Sequence, residues 1–115
     1  MKLTIYHNPR CRKSREALNY LEENGYEPIV VDYQKEPLSE NELARLLKEL
    51  KYTAEQLVRK NEAIWKADFK GKKWSEKELI KALASHPKLI ERPIISNGNQ
   101  AVISRPIEKL MDFLK

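Results

Sequence analysis

Two short apolar runs bracket a single amphipathic helical pattern, and this arrangement restricts the fold more than any other feature of the chain. Leu3-Thr4-Ile5-Tyr6 reads as a strand. Ser14, Ala17, Leu18 and Leu21 then recur at helical spacing, and the pattern stops near Asn24-Gly25, where glycine supplies the left-handed residue that ends a helix. Ile29-Val30-Val31-Asp32-Tyr33 is β-branched and mostly apolar, the character expected of a strand buried in a parallel sheet. Strand, helix and strand make a βαβ unit, whose crossover is right-handed. The loop after the first strand therefore lies at the carboxyl end of the sheet, where open α/β sheets bind their ligands.

That loop holds the only cysteine of the chain. In His7-Asn8-Pro9-Arg10-Cys11-Arg12-Lys13-Ser14-Arg15, Cys11 stands at the helix start among four basic side chains. The unpaired N–H groups and dipole of a helix N-terminus favour an anion, and the nucleophilic form of cysteine is the anionic thiolate. Arg10, Arg12, Lys13 and Arg15 are expected to push the same way. A lone cysteine is commonly a small buried hydrophobe. Here the position and the charge favour a reactive thiol, largely ionised near neutral pH.

The 115 residues suit one domain spanning 1–115, with a helical insertion at about 38–86. Charged residues make up 34% of the chain and hydrophobic residues 41%, in periodic patterns, which excludes a disordered chain. One cysteine cannot form an internal disulfide, and two histidines beside it make a poor metal site, so no metal and no bound cofactor are expected. With no secretory leader and no apolar run of transmembrane length, the expected location is the cytoplasm. The net charge of +5 comes without interleaved aromatic and basic residues of the RNA-binding kind, so nucleic acid is not the expected partner.

After Pro37 the chain reads as helical for about fifty residues. Ser39 with Glu42, Thr53 with Gln56 and Ser75 with Glu78 are three capping boxes, each ahead of an apolar stripe. Trp65, Phe69 and Trp74 pack this helical layer, and the lysines of Lys70-Gly71-Lys72-Lys73 are solvated. The sheet resumes with Pro93-Ile94-Ile95-Ser96 and Asn99-Gln100-Ala101-Val102-Ile103, around a two-residue hairpin signal at Asn97-Gly98. Ile107, Leu110, Met111 and Leu114 form a last helix, with Pro106 in its first turn. The expected fold class is α/β, a thioredoxin-like mixed four-stranded sheet of βαβ followed by ββα.

Arg92-Pro93 stands just before the third strand and Arg105-Pro106 just after the fourth, so the hairpin brings both arginines to one end of the sheet. Pro93 is the expected cis proline facing the cysteine. Arg59, at the end of the second capped helix, is the candidate third member. Guanidinium groups present fixed forks of donors that match tetrahedral oxyanions and stay charged at any working pH. They would offset the repulsion that a thiolate meets when it attacks such an anion.

His7-Asn8-Pro9-x-Cys11-x-x-Ser14-Arg15, Leu57-Val58-Arg59-Lys60, Glu91-Arg92-Pro93-Ile94 and Ser104-Arg105-Pro106 resemble, in the same order, the motifs of the glutaredoxin-linked arsenate reductases of the ArsC family. The resemblance runs from residue 1 to residue 115. It implies that Cys11 attacks arsenate, that Arg59, Arg92 and Arg105 hold the oxyanion, and that His7, Ser14 and Pro93 support the site. It further implies that glutathione serves as co-substrate and that glutaredoxin resolves the covalent species to release arsenite. Ser14 is expected to hydrogen-bond the thiolate, and His7 to support the loop rather than act as a base. Arg12 and Lys13 depart from the small residues of Cys-Gly-Thr-Ser and should lower the thiol pKa further. The same superfamily contains Spx-type regulators that bind RNA polymerase and carry Cys-x-x-Cys. Ser14 in the fourth position removes the redox pair, which leaves a constitutive binding protein as the alternative, beside a thiol-dependent reductase with another substrate.

Overall fold

The computed structural model describes residues 2–115. Strand β1 (Thr4–His7) pairs in parallel with β2 (Ile29–Asp32), with Thr4 opposite Ile29 and His7 opposite Asp32. Helix α1 (Arg12–Glu23) connects them. It ends where the sequence predicts, because Gly25 adopts φ +84° and lets the Tyr26 N–H reach Leu21 O at 3.0 Å and the Gly25 N–H reach Glu22 O at 3.2 Å. These two bonds satisfy carbonyls that a helix end otherwise leaves open.

Strand β3 (Ile94–Ser96) runs antiparallel beside β1, and β4 (Ala101–Ile103) runs antiparallel beside β3, so the order is β2-β1-β3-β4. This is the expected thioredoxin-like mixed sheet. Strand β2 is not the buried strand its composition suggests. It pairs only with β1 and forms an outer edge, where Ile29 is 47% and Val30 48% exposed. Layers that cover the centre of a sheet do not reach its margin, and an apolar run alone does not tell the two positions apart.

Alternation along the inner strands divides the core between two faces. Leu3, Ile5 and Ile95 pack with Ala17 and Leu21 of α1 and with Leu110 of α4 (Glu108–Phe113). Tyr6, Ile94 and Ile103 pack on the opposite side with Leu43, Leu46 and Leu47 of α2 (Glu40–Leu50) and with Leu79 and Leu83 of α3 (Glu76–Ser85). Each fully buried leucine contributes about 1.5–3 kcal/mol through the apolar area it removes from water.

The first and third capping boxes form as read: Ser39 with Glu42 opens α2, and Ser75 with Glu78 opens α3. The second does not open a helix of any length. The Thr53 N–H donates to Gln56 Oε1 at 2.8 Å, yet only the 3-10 turn Glu55–Leu57 follows. Val58 then turns extended and bridges Ile90, the Arg59 N–H donates to Leu89 O at 2.7 Å, and the Glu91 N–H donates to Leu57 O at 2.8 Å. Arg59 thus lies on an extended segment rather than at a helix end. This extended path buries Leu57, Val58, Leu89 and Ile90 together in the core, removing their apolar surface from water. The remaining helical stretch contains a π-helical turn, Trp65–Phe69, closed by the Lys70 N–H on Trp65 O at 2.8 Å.

The hairpin turn sits one residue later than predicted. Ser96 faces Ala101 and the Asn97 N–H donates to Gln100 O at 3.0 Å, which leaves Gly98 and Asn99 as the two loop residues. Gly98 carries φ +94° at the first loop position, the geometry of a type II′ turn. The peptides Arg92-Pro93 and Arg105-Pro106 are both cis; the sequence reading placed one such bond, at Pro93. Helix α4 starts at Glu108, two residues after Pro106.

Candidate active site

Cys11 is the N-cap of α1, held by its own N–H on Asn8 O at 2.9 Å and by its carbonyl accepting from the Arg15 N–H at 3.0 Å. Its side chain is half-buried. Burial pushes the thiol pKa up, but the Ser14 backbone N–H, the Arg92 guanidinium and the Lys13 backbone N–H together outweigh it, and the thiol lies below its ordinary value. The helix start acts as expected on the sulfur. The flanking cations do not carry the effect assigned to them. The charge that acts most on Cys11 is Arg92, brought from the far end of the chain, whereas the Arg15 guanidinium donates to Pro9 O at 2.8 Å. Arg12 lines a groove between α1 and α4 with Ile107 and Met111 and is not among the residues that act on the thiol.

Ser14 acts through its backbone rather than its hydroxyl. The side chain is completely buried; its oxygen accepts the Asn8 N–H at 3.0 Å and lies 2.7 Å from His7 Nδ1. Burial pushes the His7 pKa down, the Asp32 carboxylate opposing this and Arg15 adding to it, so the imidazole is neutral at pH 7. The hydroxyl and Nδ1 share one buried hydrogen bond. His7 therefore locks the loop to α1 through Ser14.

Beside the cysteine loop opens a cavity of about 570 Å³, walled by Asn8, Pro9 and Arg10, by Asp32, Gln34 and Lys35 at the end of β2, and by Arg59, Glu62, Lys88 and Arg92. Five cations against two carboxylates make it suited to an anion. Arg59 is oriented by Glu62, 3.3 Å from its Nη1, and by Glu91, 3.9 Å from its Nε. Arg105 is not part of this wall. The Ser104 N–H donates to Pro93 O at 3.0 Å and the Arg105 N–H turns back to Ile103 O at 2.9 Å, so the Arg105 backbone follows directly on the contact with Pro93. Its side chain makes no ion pair among the described residues, in which no three His, Cys, Asp or Glu side chains gather at metal-binding spacing either.

Residues 6–113 match the ArsC family. The chain belongs to that family. Among its relatives, the uncharacterized protein YfgD of Escherichia coli K12 is 44% identical over 98% of this chain and 97% of its own length. A Haemophilus influenzae protein named arsenate reductase is 40% identical over 99% and 100%. The solved structure of an arsenate reductase from Vibrio cholerae superposes with a TM-score of 0.91 at 41% identity, covering 97% of both chains.

Within this ArsC-family site the sequence reading missed Tyr33. It follows β2 directly, its ring is fully buried, and its hydroxyl has no hydrogen-bond partner among the described residues. Burial pushes the phenol up to about 12, against the pull of Arg92, of the Gln34 side chain beside its hydroxyl and of Arg59, while the Cys11 sulfur adds to the rise. The available signal was a polar-tipped aromatic at the carboxyl end of a parallel strand. Lys35 and Lys88 were likewise unread; their place in the cavity depends on the segments after β2 and α3 folding back to the cysteine loop.

Proposed function

We propose that this ArsC-family chain reduces arsenate to arsenite in the cytoplasm through a covalent Cys11–arsenic intermediate, with glutathione and glutaredoxin supplying the electrons. The observation that carries this reading is the thiol at the start of α1, lowered by two backbone N–H groups and by Arg92, beside a cavity that Arg92 shares with Arg59. The Haemophilus influenzae relative, named arsenate reductase and matched over its whole length, supports the same substrate.

In this mechanism arsenate binds against Arg59 and Arg92, and Arg105 closes on it. The Cys11 thiolate attacks arsenic; a sulfur–arsenic bond forms and one arsenate oxygen leaves as water after protonation. The thiol of glutathione displaces a second oxygen, again as water. A glutaredoxin thiol then attacks the glutathione sulfur, the sulfur–arsenic bonding pair remains on arsenic, and arsenic(V) becomes arsenic(III) while a mixed disulfide leaves. Hydrolysis of the Cys11–arsenic bond frees arsenite and restores the thiol. His7 and Ser14 hold the first turn of α1 so that its N–H groups stay aimed at the sulfur, and Pro93 holds Arg92 at the site. No second cysteine is present to resolve the intermediate, so the reductant is external, and a reducing compartment keeps Cys11 as the free thiol.

The test is a coupled assay with arsenate, glutathione, glutaredoxin, glutathione reductase and NADPH. Wild type should consume NADPH in an arsenate-dependent way that Cys11→Ser abolishes and Arg92→Ala reduces. Equal rates for wild type and Cys11→Ser would overturn the proposal.

A further inference from the structure

Three buried side-chain polar atoms lack a hydrogen-bond partner among the described residues: Tyr33 Oη, Arg92 Nε and Ser104 Oγ. All three belong to one end of the sheet. Tyr33 lies one residue beyond β2, Arg92 two residues before β3 and Ser104 one residue beyond β4. Because β2 and β4 run with β1 and β3 runs against it, the Cys11 loop leaves the sheet from this same end. Buried polar groups in folded proteins are nearly always paired, and each exception costs stability. Ser104 follows β4 at the far margin of the sheet from Tyr33, but Tyr33 and Arg92 act on one another, and this pair points to a missing acceptor that a ligand supplies.

The chemistry of the atoms says which acceptor. Arg92 Nε–H can only donate, and a phenol that stays protonated throughout the neutral range donates to any stronger acceptor. Tyr33 lies within electrostatic reach of Arg92, Arg59 and Cys11 together, and Gln34, whose side chain stands beside its hydroxyl, lines the cavity with Arg59 and Arg92, so the hydroxyl lies just behind the cavity wall. Donors that converge without an acceptor match an anionic oxygen. We propose that Tyr33 Oη and Arg92 Nε form an inner oxygen subsite, which takes one oxygen of the tetrahedral oxyanion while Arg59 and the remaining Arg92 nitrogens hold the others. Tyr33 is then a binding residue of the reaction, fixing the orientation of the anion from below. This inference rests on the oxyanion reading of the Cys11 cavity.

Tyr33→Phe removes the hydroxyl and keeps the buried ring. Two measurements decide the matter: protection of Cys11 against iodoacetamide by arsenate, with phosphate and sulfate in parallel, and the Tm of the ligand-free protein. Tyr33→Phe should require about tenfold or more arsenate for the same protection, the loss of one hydrogen bond to a charged ligand. Its ligand-free Tm should equal or exceed that of wild type, because an unpaired buried hydroxyl is gone. Unchanged protection overturns the subsite whatever the Tm, since the hydroxyl then meets no ligand; a lowered Tm or failure to fold overturns it as well, since the hydroxyl then serves the free protein. If wild-type Cys11 itself gains no protection from any of the three anions, the oxyanion reading fails in wild type alone, and the subsite with it.

Discussion

Ser14→Ala separates two ways in which a serine one turn beyond a reactive cysteine could act. In the structure the hydroxyl is fully buried, accepts the Asn8 N–H at 3.0 Å and shares a hydrogen bond with His7 Nδ1 at 2.7 Å. Removing it leaves both groups without a partner. A buried donor or acceptor stripped of its hydrogen bond costs about 1–3 kcal/mol, and Asn8, which is only half-buried, belongs at the low end. Alanine returns about 0.5 kcal/mol through its better helix propensity. The net loss is about 2 kcal/mol, a large share of a stability on the order of 5–15 kcal/mol, and corresponds to a fall in Tm of roughly 8 °C. Alanine keeps the backbone N–H that lowers the Cys11 thiol. The pH midpoint of Cys11 alkylation should therefore stay close to that of wild type while urea and thermal melts show the destabilisation. Unchanged stability with an alkylation midpoint moved up toward the ordinary thiol would refute the reasoning and return the hydroxyl to the thiolate.

Arg92→Ala should raise the midpoint of Cys11 alkylation, whereas Arg12→Ala, in the groove between α1 and α4, should leave it nearly unchanged; iodoacetamide rates against pH test both. Ser39→Ala and Ser75→Ala should each cost about 1 kcal/mol in a urea melt, as lost N-caps do, while Thr53→Ala should cost less because only a 3-10 turn follows it. Stability should also fall as pH rises through roughly 10 to 12. The Tyr33 phenol is pushed up to about 12 in the folded chain, so the native state holds its proton more tightly than the unfolded state, and the benefit is present below about 10 and lost above it. The contribution is about 2–3 kcal/mol, read as the difference between wild type and Tyr33→Phe across that interval.

Local rules carried the elements whose causes are local. The end of α1 at Gly25 and the two boxes that open α2 and α3 depend on residues within a turn of one another, and they form as the residues dictate. Thr53 and Gln56 offer the same signal and make both of the same bonds, but the pairing of Val58 with Ile90 draws the chain away into an extended segment. Strand β2 reads like any buried strand because composition does not encode which strand ends at an edge. The hairpin shifted by one residue because the pairing of Ser96 with both Thr4 and Ala101 decides the register before the turn residues do.

The candidate site divides along the same line. Cys11 at a helix start was legible, as was the arrival of Arg92 at the same end of the sheet. Which cation governs the thiol was not. Of the four neighbours in sequence, Arg15 turns to Pro9 O and Arg10 lines the cavity, yet the charge that acts most on the sulfur is Arg92, two residues before β3, because side-chain direction is a property of the assembled layers. Tyr33 escaped notice for a related reason: as one letter in an apolar strand it looks like packing, and only the missing partner of its hydroxyl marks it.

The central claim is that Cys11 faces an oxyanion pocket built by Arg59 and Arg92. The most direct measurement is the rate of Cys11 alkylation at fixed pH as arsenate is added, in wild type, Arg59→Ala and Arg92→Ala. Saturable protection of wild type that weakens by about tenfold or more in each variant is the predicted result, each lost charge-assisted hydrogen bond being worth about 1.5–3 kcal/mol. Protection that is equally strong in all three proteins, or absent from wild type, would contradict it.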